Sequence, residues 1–412
     1  MEMNPSRKPS PTESPSPLLF ELDDEPLQET LTAWGCVPLV VQAFRSMGVP
    51  ASVRQHVRIK QRELGRRCPE QRTATVDQDA TIIESHKREA LRTYEGERGY
   101  QPMLAVCHPV DKDPSPGAPV WAEMDAVLAD EFRDGNVPAM MAPLAVAKRA
   151  FAALPETVTS YYYRGDSASH EKELLGWLRD ENRADGLQGK IGFAIGARMS
   201  EALHRAIVQV PEASWNLYGK ADGKEIRECA EVDFVPGEKN EQKDTQPLRY
   251  VAIRIRPRQE EFFADGNRVK HFAVVSNLWE WKPERLIQWH REKAGTIEAV
   301  HDVLKNELAG GVMPSKYFGA NAGAPTDRSS SVGWNAAWLR LAVIAHNVLT
   351  ALKRIALPAE LLRARPKRLR FLIFNTAGRL VQHARKMRLR LATLEERIAL
   401  WKEALRLLPV AT

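Results

Sequence analysis

The stretch Thr73–Ser85, TATVDQDATIIES, constrains the fold more than any other part of the chain. Its alternation and its β-branched residues predict a strand. Strand side chains alternate between faces, so Asp77 and Asp79 point the same way. Two like charges on one face of an apolar strand repel, and both lose solvation unless a cation or donor compensates. Either this strand is an edge with both acids in water, or other residues must bring it a partner.

The surrounding pattern predicts a layered domain. YQPMLAVC and AVLADEFRDGN read as strands, the second ending at the Gly135–Asn136 turn signal. Residues 139–154 read as a helix, TVTSYYYRGDSAS as a strand ending at Asp166, HEKELLGWLRDEN as an amphipathic helix, and KIGFAIGA as another strand. Such alternation predicts an α/β or α+β fold with a mixed sheet flanked by helices. Residues 201–250 have a different texture, with short polar segments, Trp215 and the loop VPGEKNEQKDTQP, and are expected to form an inserted β-rich subdomain. YVAIRIR and HFAVVSN then resume the sheet, and a helix follows over Trp289–Leu308.

The expected organisation is a Pro/Ser-rich disordered tail over 1–17 and a short helical N-terminal region over 18–70. The first part of the core covers 71–200, the insertion 201–250 and the end of the core 251–310. A basic helical C-terminal region covers 311–412. VRQHVRIKQRELGRR, in the N-terminal region, is a candidate DNA contact.

Charge is uneven. The chain carries a net +6, yet Lys353–Arg390 holds twelve Lys/Arg and one acid, Glu360, leaving the remainder at about −5. A basic block on an otherwise slightly acidic protein points to a polyanion, most simply nucleic acid, with Arg368, Arg370, Arg385, Lys386 and Arg388 as candidate contacts. The plainer alternative is a solvated amphipathic helix pair. Four scattered cysteines with no CxxC pair argue against zinc and against a disulfide framework, and fit a reducing cytoplasm. No run approaches the ~20 apolar residues of a membrane span, and no secretory signal pattern is expected at the N-terminus.

Two further acids stand where chemistry could use them. Asp166 closes an aromatic strand, and functional residues gather at strand ends in open α/β sheets; a helix N-cap is the plain alternative. In the helix, Ile297, Val300, Leu304 and Leu308 form a core stripe, and Glu298, Asp302 and Lys305 form a neighbouring polar one. Alone, that stripe reads as solvated surface. Together, three carboxylates without a His or Cys cluster suit Mg²⁺ or Mn²⁺. Two such ions ~3.5–4 Å apart clamp the attacking and leaving oxygens of a phosphodiester. Lys305 would then hold a phosphate, and the basic C-terminal block would bind DNA by counterion release.

The motifs ATVDQDATIIESHKREALRTYEGERGYQPMLAV, LADEFRDGNVPA, YYYRGDSAS and GTIEAVHDVLKNELAGGVMPS, in this order, resemble the DDE transposases of bacterial insertion sequences, and most resemble the group numbered 1380 in that nomenclature. The resemblance runs from Thr73 to about Leu391. It implies an RNase H-like core with a β-rich insertion before the Glu helix, and Asp79, Asp166 and Glu298 as metal-binding catalytic acids. Asp77 would assist or stand in for Asp79 as a metal ligand. It further implies Mg²⁺ or Mn²⁺ as cofactor and double-stranded DNA as partner, both terminal inverted repeats and target. A homodimer in synapsis, at the nucleoid of a bacterial cytoplasm, follows from the same resemblance. An aromatic and a basic residue precede the Glu in the family; Trp289 with Arg291 or Lys293 would fill those places, Arg291 and Lys293 as DNA contacts, and Trp215 would stack on a displaced base, its alternative being a core Trp. The chain departs from the family in a short segment before the first Asp strand and in extra sequence at Cys107–Val120 and Gly323–Ala336. Two rivals stand beside this reading. One is a truncated, catalytically defective copy that only binds DNA. The other is a glycoside hydrolase using two of the acids, which the basic block argues against.

Overall fold

A computed structural model describes residues 21–22, 72–87, 90–107, 125–154, 156–218, 225–236, 247–257, 269–314, 334–383 and 386–407. The tail, nearly all of the N-terminal region and most of both extra segments lie outside them. The chain divides into two compact units, 65–343 and 1–64 with 344–412.

The first unit is built on a nine-stranded mixed sheet. Its strands in chain order are β1 (Thr73–Ala80), β2 (Met103–Cys107), β3 (Val127–Glu131), β4 (Ser160–Gly165), β5 (Ile191–Gly196), β6 (Asn216–Leu217), β7 (Glu225–Val232), β8 (Arg249–Pro257) and β9 (Lys270–Ser276). Across the sheet they run β3-β2-β1-β4-β5-β9-β8-β7-β6. β1, β2 and β3 pair antiparallel, while β1, β4 and β5 pair parallel. That is the arrangement expected of an RNase H-like core. β1 is therefore central, not an edge, and its burial follows from that position.

Helices cover both faces. α1 (Pro143–Ala152), α2 (Lys172–Arg179) and α3 (Glu201–Val208) pack one face through Val146, Phe151, Leu174, Trp177, Leu203 and Ile207. α4 (Pro283–Asp302) packs the other through Leu286, Ile287 and Trp289. The triple tyrosine of β4 shows the period-2 alternation directly. Tyr161 and Tyr163 meet Phe151 on the α1 face, whereas Tyr162 meets Trp281 and Trp289 on the α4 face. Burial of Phe151, 2% exposed, contributes about 1.5–3 kcal/mol. Pro283 at the first turn fixes the start of α4, six residues before the expected helix boundary.

Two expectations change. Residues 201–250 open with α3, capped by Ser200, whose hydroxyl accepts from Leu203 N at 3.1 Å. Their strands then extend the main sheet instead of forming a separate subdomain, since β7 pairs with β8 along its whole length. The polar positions of β7 hid this: Glu228 and Glu231 pair with arginines of β8, and only Cys229, Ala230 and Val232 mark the apolar interior.

In the second unit the basic region is not wholly helical. α5 (Trp334–Ala356), whose first turns belong to the first unit, is followed by short helical turns and then by a hairpin of Gly378–His383 with Lys386–Leu391. α6 (Glu395–Leu407) comes last. KMRLRL alternates basic and apolar residues, a strand period, and Leu389 and Leu391 are buried. No described helix is long and apolar enough to cross a membrane.

Candidate active site

Both aspartates of β1 face α4, and each receives its own cation. The parallel register sets Asp77 beside Arg164 of β4. Arg164 Nε and Nη2 donate to Asp77 Oδ1 and Oδ2 at 2.7 and 2.8 Å, and neither side chain is exposed. The guanidinium also stacks over Trp289, 5.1 Å from the ring centroid, and Nη1 donates to the Trp289 carbonyl. This fork joins β1, β4 and α4 at one point, with both carboxylate oxygens engaged.

Two residues along β1, Asp79 meets Lys293 of α4. Lys293 Nζ lies 2.7 Å from Asp79 Oδ2, and Asp79 Oδ1 accepts from Ala80 N at 2.9 Å. The Asp79 side chain is 22% exposed and that of Lys293 is 9% exposed, so this pair opens towards solvent where the Asp77 fork does not.

Asp166 follows the last residue of β4 and caps a short 3₁₀ turn, its Oδ1 accepting from Ala168 N at 3.1 Å. Asp166 therefore stands at a strand end and caps the turn that follows. Gly165 is required before it, because a Cβ there would fall 2.4 Å from Ser169 Cβ and Oγ. His290 of α4 reaches the same peptide, its Nε2 donating to Gly165 O at 3.0 Å. Burial, and then the charge of Asp79, push the Asp166 carboxyl up; the charge of Lys293 and backbone donors at Ala168 and Ser169 pull it down. Asp79, Asp166 and Lys293 thus form one electrostatic unit at the ends of two neighbouring parallel strands.

Glu298 lies on α4, exposed, one position after buried Ile297. Among the described residues no three His, Cys, Asp or Glu side chains stand close enough to hold a metal ion. Asp79 and Asp166 by themselves fit a divalent cation: hard oxygen donors, mutually repelling, and already answered by an ammonium.

Residues 51–410 match the family described as transposase DDE domain, group 1. The chain belongs to this family. No curated protein matches it.

The remaining candidates of this transposase spread around that unit. Lys305 sits on a π-helical turn after α4, and its Nζ donates to Thr81 Oγ1 at 3.1 Å and Ile82 O at 3.4 Å, just beyond β1. Trp289 is buried in the aromatic cluster, and Arg291 reaches Tyr218 Oη at 3.3 Å. Trp215 precedes β6 at the far end of the sheet, half-buried, with Arg254 over its ring at 4.3 Å from the centroid. That packing follows its core alternative. In the second unit Arg368 and Arg370 are exposed and Arg388 is half-buried on the hairpin, where Lys386 starts the strand; Arg385 lies outside the described residues.

Three side chains escaped the sequence reading. Arg164 was legible only through alternation, since it shares a strand face with Tyr162. His301 of α4 is 6% exposed, its Nε2 has no hydrogen-bond partner among the described residues, and burial pushes its imidazole down to about 4. Tyr94 projects from the Thr93–Glu97 turn, 74% exposed; partial burial and then Glu95 push its phenol up, with smaller contributions from the charges of Asp166 and Asp79.

Proposed function

We propose that this transposase cleaves DNA at the ends of a bacterial insertion sequence and joins the freed 3′-hydroxyl to target DNA, with Asp79, Asp166 and Glu298 as its acids. One observation carries the reading. Asp79 and Asp166 stand at the ends of adjacent parallel strands in an RNase H-like order, near enough for one charge to act on the other. Mg²⁺ or Mn²⁺, when bound, would supply charge neutralisation and activate a hydroxyl for in-line attack. Asp79 and Asp166 supply the rigid oxygen donors, since β1 and β4 are fixed by the Asp77–Arg164 fork. Glu298, exposed on α4, would supply the third. Asp77, with both oxygens on Arg164, acts as a positioning residue, which leaves Asp79 as the first acid.

DNA would be held through its phosphates, with Lys305 near the acids and Arg368, Arg370 and Arg388 in the basic unit. The motif order supports the group numbered 1380; synapsis of two element ends would call for at least a homodimer, acting at the nucleoid. The test is nicking of a supercoiled plasmid carrying the element ends, with Mg²⁺ or Mn²⁺. Asp79→Asn, Asp166→Asn and Glu298→Gln should each lower nicking at least ~100-fold, because each ligand supports several kcal/mol of transition-state charge. Equal nicking by Glu298→Gln and wild type would remove Glu298 from the set.

A second reading, a DNA-binding protein without catalysis, is favoured by the exposure of Glu298 and by the lack of a three-carboxylate cluster among the described residues. It expects salt-sensitive DNA binding and no metal-dependent nicking.

A further inference from the structure

Lys293 has an odd place for a residue of a DNA-binding enzyme. Its side chain is only 9% exposed, and its ammonium takes Asp79 Oδ2. The other Asp79 oxygen accepts from Ala80 N, so both are occupied. The same ammonium acts on Asp166 from across the strand ends. An internal cation here does what a bound ion would do: it offsets the repulsion between two carboxylates that their strands force together.

We infer that Lys293 is a stand-in cation, holding Asp79 when no divalent ion is present and giving up Oδ2 when one binds. The inference rests on the metal-dependent reading above. An ammonium and a divalent ion on the same carboxylate oxygen repel strongly at such separations in a half-buried site. One of them must leave. The helix is not free to move, because Arg164 ties the Trp289 carbonyl and ring of α4 to the sheet. The lysine can change rotamer without moving the helix, being a flexible four-carbon chain with a compact charge at its end. Exchange at Asp79 therefore occurs by swinging the Lys293 side chain, with β1, β4 and α4 left in register.

Such a competitor lowers the apparent metal affinity by the fraction of molecules in which Asp79 is released. Its removal tightens binding about tenfold if the paired state outweighs the released one by about ten to one. The experiment titrates Mn²⁺ into the full chain, reading free Mn²⁺ by electron paramagnetic resonance, for wild type and Lys293→Gln. In parallel, acetylation of Lys293 in wild type is followed by mass spectrometry with and without Mn²⁺.

The expected result is tighter Mn²⁺ binding by Lys293→Gln and faster acetylation of Lys293 once Mn²⁺ saturates the wild type. Unchanged or weaker binding by the variant, with Lys293 equally protected at saturation, overturns the inference and leaves the metal-dependent reading standing. Absence of Mn²⁺ binding by both proteins overturns both. Should Lys293→Gln not fold, the wild-type labelling decides alone, and no rise in acetylation at Mn²⁺ saturation overturns the inference.

Discussion

Arg164 and Asp77 meet through two hydrogen bonds of 2.7 and 2.8 Å at a point where neither side chain is exposed. Removing one member leaves the other charged and buried, which costs about 3–5 kcal/mol. Arg164→Met should lower the urea midpoint by an amount in that range, while Asp77→Leu/Arg164→Met should recover much of it. If the double variant is no more stable than the single one, the fork does not act as a pair.

His301 gives the fold an acid-sensitive element. Its imidazole is held neutral by burial down to about 4, against about 6.5 in the unfolded chain. Between those values the unfolded state binds a proton that the folded state refuses. Stability is therefore full above pH 6.5 and is lost as pH falls towards 4, by on the order of 3 kcal/mol. Urea unfolding from pH 7 to pH 4 should show a slope reduced by one proton in His301→Leu. An identical slope in both proteins would mean that His301 is not the group that refuses the proton.

Gly165 has no room for a side chain. A Cβ there would overlap Ser169 at 2.4 Å and must displace the turn that Asp166 caps. Gly165→Ala should retain the far-ultraviolet circular dichroism of the wild type but lower metal-dependent nicking more than tenfold, since a misplacement of about 1 Å costs on the order of a hundredfold. Full activity in this variant would show that the Asp166 turn is not held at a required position.

Phosphate contacts announce themselves through salt. Each Lys or Arg that neutralises a phosphate contributes about one unit to the slope of log K against log salt. Arg368→Ala and Arg370→Ala should each flatten that slope by about one when binding to duplex DNA is followed by fluorescence anisotropy. Trp215→Ala should leave it unchanged, because its ring is packed under Arg254.

How much of this was readable beforehand depends on the range of the interaction. The facing of Asp77 and Asp79, the closing position of Asp166 and the amphipathic face of α4 are local, set by periods of 2 and 3.6, and the chain states them openly. Which cation answers which acid is not local. It follows from the parallel register of β1 with β4 and the docking of α4, so Lys293 was expected at DNA and is found on Asp79. The 378–391 hairpin was hidden differently: its many arginines drew attention to charge, while the alternating leucines carried the strand signal. β7 lost its pattern to glutamates whose partners come from the neighbouring strand.

The acid-and-cation pairs also impose an order on synthesis. Asp77 waits 87 positions for Arg164, and Asp79 waits 214 positions for Lys293. A chain emerging from the ribosome carries both aspartates long before either counter-charge exists. β1 can pair early with nearby β2, but its parallel pairing with β4 spans more chain and forms later. Any fragment that stops short of α4 would lack the tie from Arg164 to Trp289 and the cation on Asp79. On the proposed reading, Asp79 gains its counter-charge only once nearly 300 residues have been made, so a half-made chain would carry no finished blade.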